Sequence, residues 1–242
     1  MARVKGCLLV GSVPLPDTEA VLRQCSAGMP HRLKRIPDGE TGTRNWFTYH
    51  QLPVFSQASP TMITQHVLNA QLAQGEYTRQ QIDEGVEKLK QAGPLKTGYD
   101  DAAIESYGVF KTLREEGVMD KGTRFQASLP TTPNVLAPFI QDAFQPQVEP
   151  IYEEALFRAM RRIQDTIPHR DLAIQIDLAV DTMYWEGVDM YKPWFGGGDM
   201  DKSRDYIVDY IVRMVSQVDN GVEVGLHNCY GKFCVFTRPT YE

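Results

Sequence analysis

Six side chains in this 242-residue sequence are of types that could do chemistry together: Ser12, Asp38, Glu40, Asp177, His227 and Cys229. His227 and Cys229 stand two positions apart in Leu226-His-Asn-Cys-Tyr-Gly231, so on a strand both point to one face, with Glu223 and Gly225. Imidazole and thiolate are zinc ligands, and a zinc ion that activates a thiol needs about three protein ligands with one position open. This pair supplies two; Cys234 becomes a third only if the tail folds back. Asp177 closes Ile174-Gln-Ile-Asp177, an acid inside an apolar strand. Burying an unpaired carboxylate is costly, so it must meet a cation such as Arg44, a hydrogen-bond donor or a polar lumen. Asp38 and Glu40 lie in Pro37-Asp-Gly-Glu-Thr-Gly42, dense in turn formers, and Ser12 lies in Gly11-Ser-Val-Pro14.

Each of these groups follows a short apolar run. Strands are expected at Val4 to Val10, Arg32 to Ile36, Phe125 to Leu129, Leu172 to Val180 and Val222 to Cys229. Between them the apolar period is helical. Asp17 caps a helix through Cys25; Ile82, Val86 and Leu89 form a stripe stopped by Gly93; Ile104, Tyr107 and Leu113 form another before Gly117. Further stripes run from Tyr152 to Ile167 and from Ile207 to Val218. About five parallel strands with flanking helices make an α/β fold, in which ligands meet the C-terminal strand ends and the loops that follow. That is where the six residues fall.

Other stretches read as structural. Trp46 to Tyr77, with Pro53 and Pro60, is an irregular excursion over one end of the domain. Met183-Tyr-Trp-Glu-Gly187 and Trp194-Phe195 form an aromatic patch that either caps a ligand site or fills a loop core. Phe195-Gly-Gly-Gly198 lacks the spacing and lysine of a phosphate loop and reads as a turn or hinge, and Arg161-Arg162 as a solvated helix face.

With 42% hydrophobic and 23% charged residues the chain can bury a core, and its net charge of −6 argues against nucleic acid and anionic membranes as partners. The N-terminal apolar run is too short for a signal peptide or a membrane span. Four cysteines are too few for a disulfide scaffold, so free thiols and a cytoplasmic setting are expected.

Val10-Gly-Ser-Val-Pro-Leu15, Arg35-Ile-Pro-Asp-Gly-Glu-Thr-Gly-Thr-Arg44, Ile174-Gln-Ile-Asp177 and Leu226-His-Asn-Cys-Tyr-Gly231, in this order, resemble the superfamily of cobalamin-independent methionine synthase and uroporphyrinogen decarboxylase. The likeness is greatest to a methionine-synthase-like group of fungi and some bacteria. It implies a (β/α)8 TIM-barrel-derived domain over residues 1–231. It also implies a site in which Ser12 holds the carboxylate end of an amino-acid thiol, Glu40 and Asp177 hold its ammonium, and His227 and Cys229 ligate zinc. The activity implied is methyl or alkyl transfer to a metal-bound thiol. The later strands, which carry a further zinc-binding Glu and Cys and an acidic His, find no match, and residues 232–242 diverge. A truncated, catalytically impaired product is therefore expected, with a zinc site left incomplete. An incomplete barrel exposes a sheet edge, which points to a partner or an oligomer. The alternatives are a non-catalytic binding or regulatory protein for a small amino acid or thiol, and an acid–base lyase or isomerase using Glu40 or Asp177.

Overall fold

In the computed structural model, which describes residues 6–46, 48–66, 72–188 and 190–230, helices and short strands alternate along the chain. In order they are α1 (Thr18–Gly28), β1 (Arg35–Pro37), α2 (Leu52–Ala58), β2 (Gln65–His66), β3 (Leu72–Ala73), α3 (Arg79–Gln91), α4 (Tyr99–Glu115), β4 (Arg124–Pro130), α5 (Pro133–Phe139), α6 (Gln145–Thr166), β5 (Leu172–Leu178), α7 (Val180–Glu186), α8 (Met200–Val215) and β6 (Glu223–Asn228). Residues 232–242, and Cys234 with them, lie outside the described residues, as does the start of the first expected strand.

Local chemistry explains the helix starts. The Asp17 carboxylate accepts the Ala20 N–H at 2.8 Å to open α1. Thr78 and Gln81 form a reciprocal capping box before α3, and Asp199 takes the N–H groups of Asp201 and Lys202 before α8. Gly117, at φ 79°, ends α4 in the left-handed conformation that a side chain would resist. The glycine run is a turn: a Cβ on Gly196 would stand 2.1 Å from the Ser203 hydroxyl, so only glycine lets the chain pass the start of α8.

β1, β4, β5 and β6 form one parallel sheet in the order β1-β4-β5-β6, while β2 and β3 pair antiparallel elsewhere. Four of the five expected strands therefore form. The first is represented by a single parallel bridge from Cys7 to Leu33. Beyond it the chain leaves the ladder, because the Leu9 and Val10 carbonyls accept from Gln126 Nε2 at 3.3 and 2.9 Å, and Gln175 Nε2 adds a 2.6 Å bond to Val10. The segment is pinned by side chains of β4 and β5 instead of by a neighbouring strand.

Strands at the two ends of a flat four-stranded sheet would lie about 14 Å apart at the usual spacing. Here Lys34, just before β1, reaches Glu223 of β6 at 3.0 Å, and the Arg35 guanidinium lies 2.9 Å from where a Gly225 Cβ would be. The sheet is strongly curled. Its convex face carries Phe125, Leu129, Leu172, Ile174 and Ile176 into a core with Phe110, Leu113, Tyr152, Leu156 and Met214 from the helices. β5 is buried on both faces, whereas β6 alternates, with Val224 and Leu226 exposed. Among the described residues the sheet remains open at β6.

Two expectations are corrected in detail. β5 stops at Leu178 instead of Val180, since Asn134 Oδ1 captures the N–H groups of Ala179 and Val180 at 3.1 and 2.6 Å and turns the chain into α7. The described part of the stretch from Trp46 to Tyr77 is tied into the domain: α2 buries Phe55, Met62 is also fully buried, and Gln51 links the segment to Thr97 and Tyr152. The aromatic patch resolves as core at Met183, Tyr184 and Phe195, while Trp185 is exposed. Tyr184 and Phe195 pack edge-on with Val180 and Ile207, and Phe195 stacks on Tyr206 at 4.3 Å. Arg162 behaves as a surface residue, half exposed and paired with Asp100 and Asp101. No helix among the described residues is long and apolar enough to cross a membrane.

Candidate functional site

The loop after β1 is built around Asp38. Its carboxylate accepts the Glu40 N–H at 2.9 Å, the Arg44 guanidinium at 2.6 Å and the Ser106 hydroxyl at 2.9 Å, so it is buried but saturated. The bond to the N–H two residues on is an Asx turn. It holds Glu40 at φ 50°, a left-handed conformation that costs a non-glycine residue roughly 1–2 kcal/mol. Gly39 precedes it because a Cβ there would stand 2.5 Å from Val21. The loop after Cys7 is joined to this turn by Val13 N–H donating to the Gly39 carbonyl at 2.9 Å. Gly11 leaves room for the Glu40 carboxylate, to which Ser12 donates its hydroxyl proton.

Asp177 and His227 are direct neighbours in the parallel register of β5 and β6. His227 Nδ1 and Asp177 Oδ1 are 2.9 Å apart, and Gln175 Nε2 donates to the same oxygen at 2.8 Å. Arg44, a partner the sequence suggested for Asp177, pairs instead with Asp38 of its own loop at 2.6 Å. Cys229 continues the ladder through its N–H to the Leu178 carbonyl at 2.7 Å, is half-buried and is a free thiol.

The structure thus brings Glu40 and Asp177 to one narrow cleft of about 20 Å³, which Asp38, Arg44, His50, Tyr99, Gln126 and Ser128 also line. Ser12 lies at its edge on Glu40, and His227 at its edge on Asp177. Burial pushes the Glu40 carboxyl up to about 7; the Ser12 hydrogen bond opposes this, and the charges of Asp177 and Asp38 add to it. Burial likewise raises Asp177 above the ordinary carboxylate range, against the stabilising contact of His227. Among the described residues neither carboxylate has a lysine or arginine in ion-pair contact, although Arg44 lies near enough to lower Glu40 somewhat.

Tyr99 and Gln126 are the residues that sequence reading passes over. Gln126 carried a signal, since it alternates with Phe125 and Ala127 as Gln175 does with its neighbours; Tyr99 carried none, because a tyrosine at a helix start is ordinary core. For a metal, the donor set is short: His227 is oriented through Nδ1 and Cys229 follows on the same face, but no group of three or more ligand-type side chains converges among the described residues. Two donors do not fit a thiol-activating zinc, which takes about three. Comparison of the chain with protein families, with curated proteins and with solved structures returns no match in any of the three.

Proposed function

We propose that this protein binds a small ligand bearing a primary ammonium group, of the amino-acid or aminothiol class, between Ser12, Glu40 and Asp177. The observation that carries this is the convergence of a buried carboxylate, Asp177, and a partly buried one, Glu40, on one cleft without a lysine or arginine in contact among the described residues. A buried anion needs a counter-charge, and an ammonium ion supplies the charge and up to three N–H donors. The motifs around these residues support the reading, since in the resembled superfamily the Glu and Asp of the matching motifs hold the ammonium of homocysteine and the matching Ser its carboxylate end. The parallel β–α order and the curled sheet support a TIM-barrel-derived domain, and the three described free cysteines support a cytoplasmic setting.

Titration calorimetry with L-homocysteine and with 4-mercaptobutanoate, which lacks the amine, tests the proposal. Binding of the first only, weakened about tenfold or more by Glu40→Gln, is expected. Equal binding of both compounds would overturn it.

A second reading is zinc-assisted alkyl transfer to the thiol of such a ligand, favoured by the Asp177–His227 contact, the kind that orients a metal-bound imidazole. The described donors fall short of a complete site, so no reaction step is assigned to the metal. Zinc measured in the purified protein and lost in Cys229→Ser would establish the site; a metal content indifferent to that change would remove it.

A further inference from the structure

At the N-terminal ends of the strands, opposite the cleft described above, a cavity of about 590 Å³ opens between the segment around Cys7 and β6, with Lys34, Arg35 and Glu223 in its wall. Ile36 of β1 is fully buried in the helix-packed core, so Arg35, its neighbour on the strand, points to the concave face of the sheet. There its guanidinium lies against the backbone of β6. Both terminal nitrogens stand 2.9 Å, and Cζ 3.2 Å, from where a Cβ on Gly225 would be. Glycine at 225 makes the room that the guanidinium fills.

The charges around this cavity do not balance. Glu223 Oε1 meets both Lys34 Nζ at 3.0 Å and Arg124 Nε at 3.3 Å. Arg124 spends Nη1 on the carbonyls of His169, Leu172 and Gly221. Arg35 has no hydrogen bond or ion pair among the described residues, so all five of its N–H donors are uncommitted. Three cations thus share one carboxylate, which leaves two positive charges over. A phosphate monoester carries about −1.5 to −2 near neutral pH and offers three acceptor oxygens, which matches both the surplus and the donor fork. The cavity is larger than a bare ion needs, and Leu8 and Val224, both exposed, give its wall an apolar part.

We propose that Arg35 and Lys34 bind the phosphate group of a phosphate monoester in this cavity, with the organic part of the ligand against Leu8 and Val224. Glu223 stays engaged with Arg124 when Lys34, whose side chain is 79% exposed, turns to the phosphate. The site is independent of the amine-binding reading, which concerns the other end of the strands.

Titration calorimetry with inorganic phosphate and, at matched ionic strength, with succinate, which presents only one charge at a time to the fork, tests the proposal. The wild type is expected to bind phosphate about tenfold more tightly than succinate. Arg35→Gln should weaken phosphate binding about tenfold or more. Gly225→Ala, whose methyl group displaces the guanidinium from β6, should weaken it as well, and Glu40→Gln at the opposite end should leave it unchanged. Without phosphate, Arg35→Gln should melt at the same temperature as the wild type or higher, because it removes an unpaired charge. Absence of phosphate binding, binding indifferent to Arg35→Gln, or equal binding of succinate would each overturn the inference. So would a phosphate-free Arg35→Gln melting several degrees lower, which would make the guanidinium a structural strut.

Discussion

Asp171 and Asp177 bracket the same strand, β5, and both are buried, at 7% and 5% exposure, yet they live in opposite electrostatic conditions. At the N-terminal end, Arg114 grips Asp171 with both arms at 2.9 and 2.6 Å, and Tyr107 donates its hydroxyl at 2.8 Å. These bonds, led by the Arg114 contact, hold the Asp171 carboxyl below the ordinary range. At the C-terminal end, Asp177 has only a histidine and an amide, burial dominates, and its carboxyl is pushed up. The tyrosines follow suit: Tyr107 is paired, whereas Tyr99 is orphaned. The surroundings of Asp171 are electrostatically complete and serve the fold. The other end leaves Glu40 and Asp177 without a lysine or arginine in contact among the described residues, the condition expected of a binding site.

The contrast yields predictions of decreasing size. Asp171→Ala strands the Arg114 charge in a partly buried position and should cost about 3–5 kcal/mol in urea unfolding; a loss below 1 kcal/mol would erase the claim that this end is structural. Tyr107→Phe should cost about 1–2 kcal/mol by removing a bond to a charged acceptor. Asp177→Asn should change stability by less than about 1 kcal/mol near neutral pH, since it removes a carboxylate that the fold leaves without a full counter-charge. A loss as large as that of Asp171→Ala would make the two ends equivalent.

A separate effect is in pH. Glu40 rises from 4.5 to about 7, and Asp181, buried with one oxygen unpaired, from 3.8 to about 6. The folded state therefore holds more protons than the unfolded one between about pH 4 and 7. The stability these groups contribute is complete below about pH 4 and is lost as pH rises through 6 to 7. Asp171 runs the other way and lends stability that disappears only in acid. Unfolding free energies at pH 5.5 and 8 should favour the lower pH, by a smaller margin in Glu40→Gln; a margin unchanged in that variant would place the titrating group elsewhere.

Much of the framework was legible because its cues are local. The cap at Asp17, the stop at Gly117 and the apolar stripes of α3, α4, α6 and α8 depend on residues within one or two turns. The candidate carboxylates were legible too, as acids at the ends of apolar strands. The start of α7 and the departure of the first segment from the ladder were not, since Asn134 and the pair Gln126 and Gln175 act across the sheet on backbone far away in sequence.

From its residues alone this protein is determined to be an α/β chain with chemistry-bearing side chains after its parallel strands, because periodicity and strand-end position are properties of neighbours in sequence. Only the tertiary structure decided which of those side chains share a cleft. Asp38 was saturated by the Asx turn and by Arg44, and β5 was set beside β6 in the register that pairs Asp177 with His227. Tyr99 was carried in on α4 and buried with its hydroxyl unpaired among the described residues, a property no window of sequence contains.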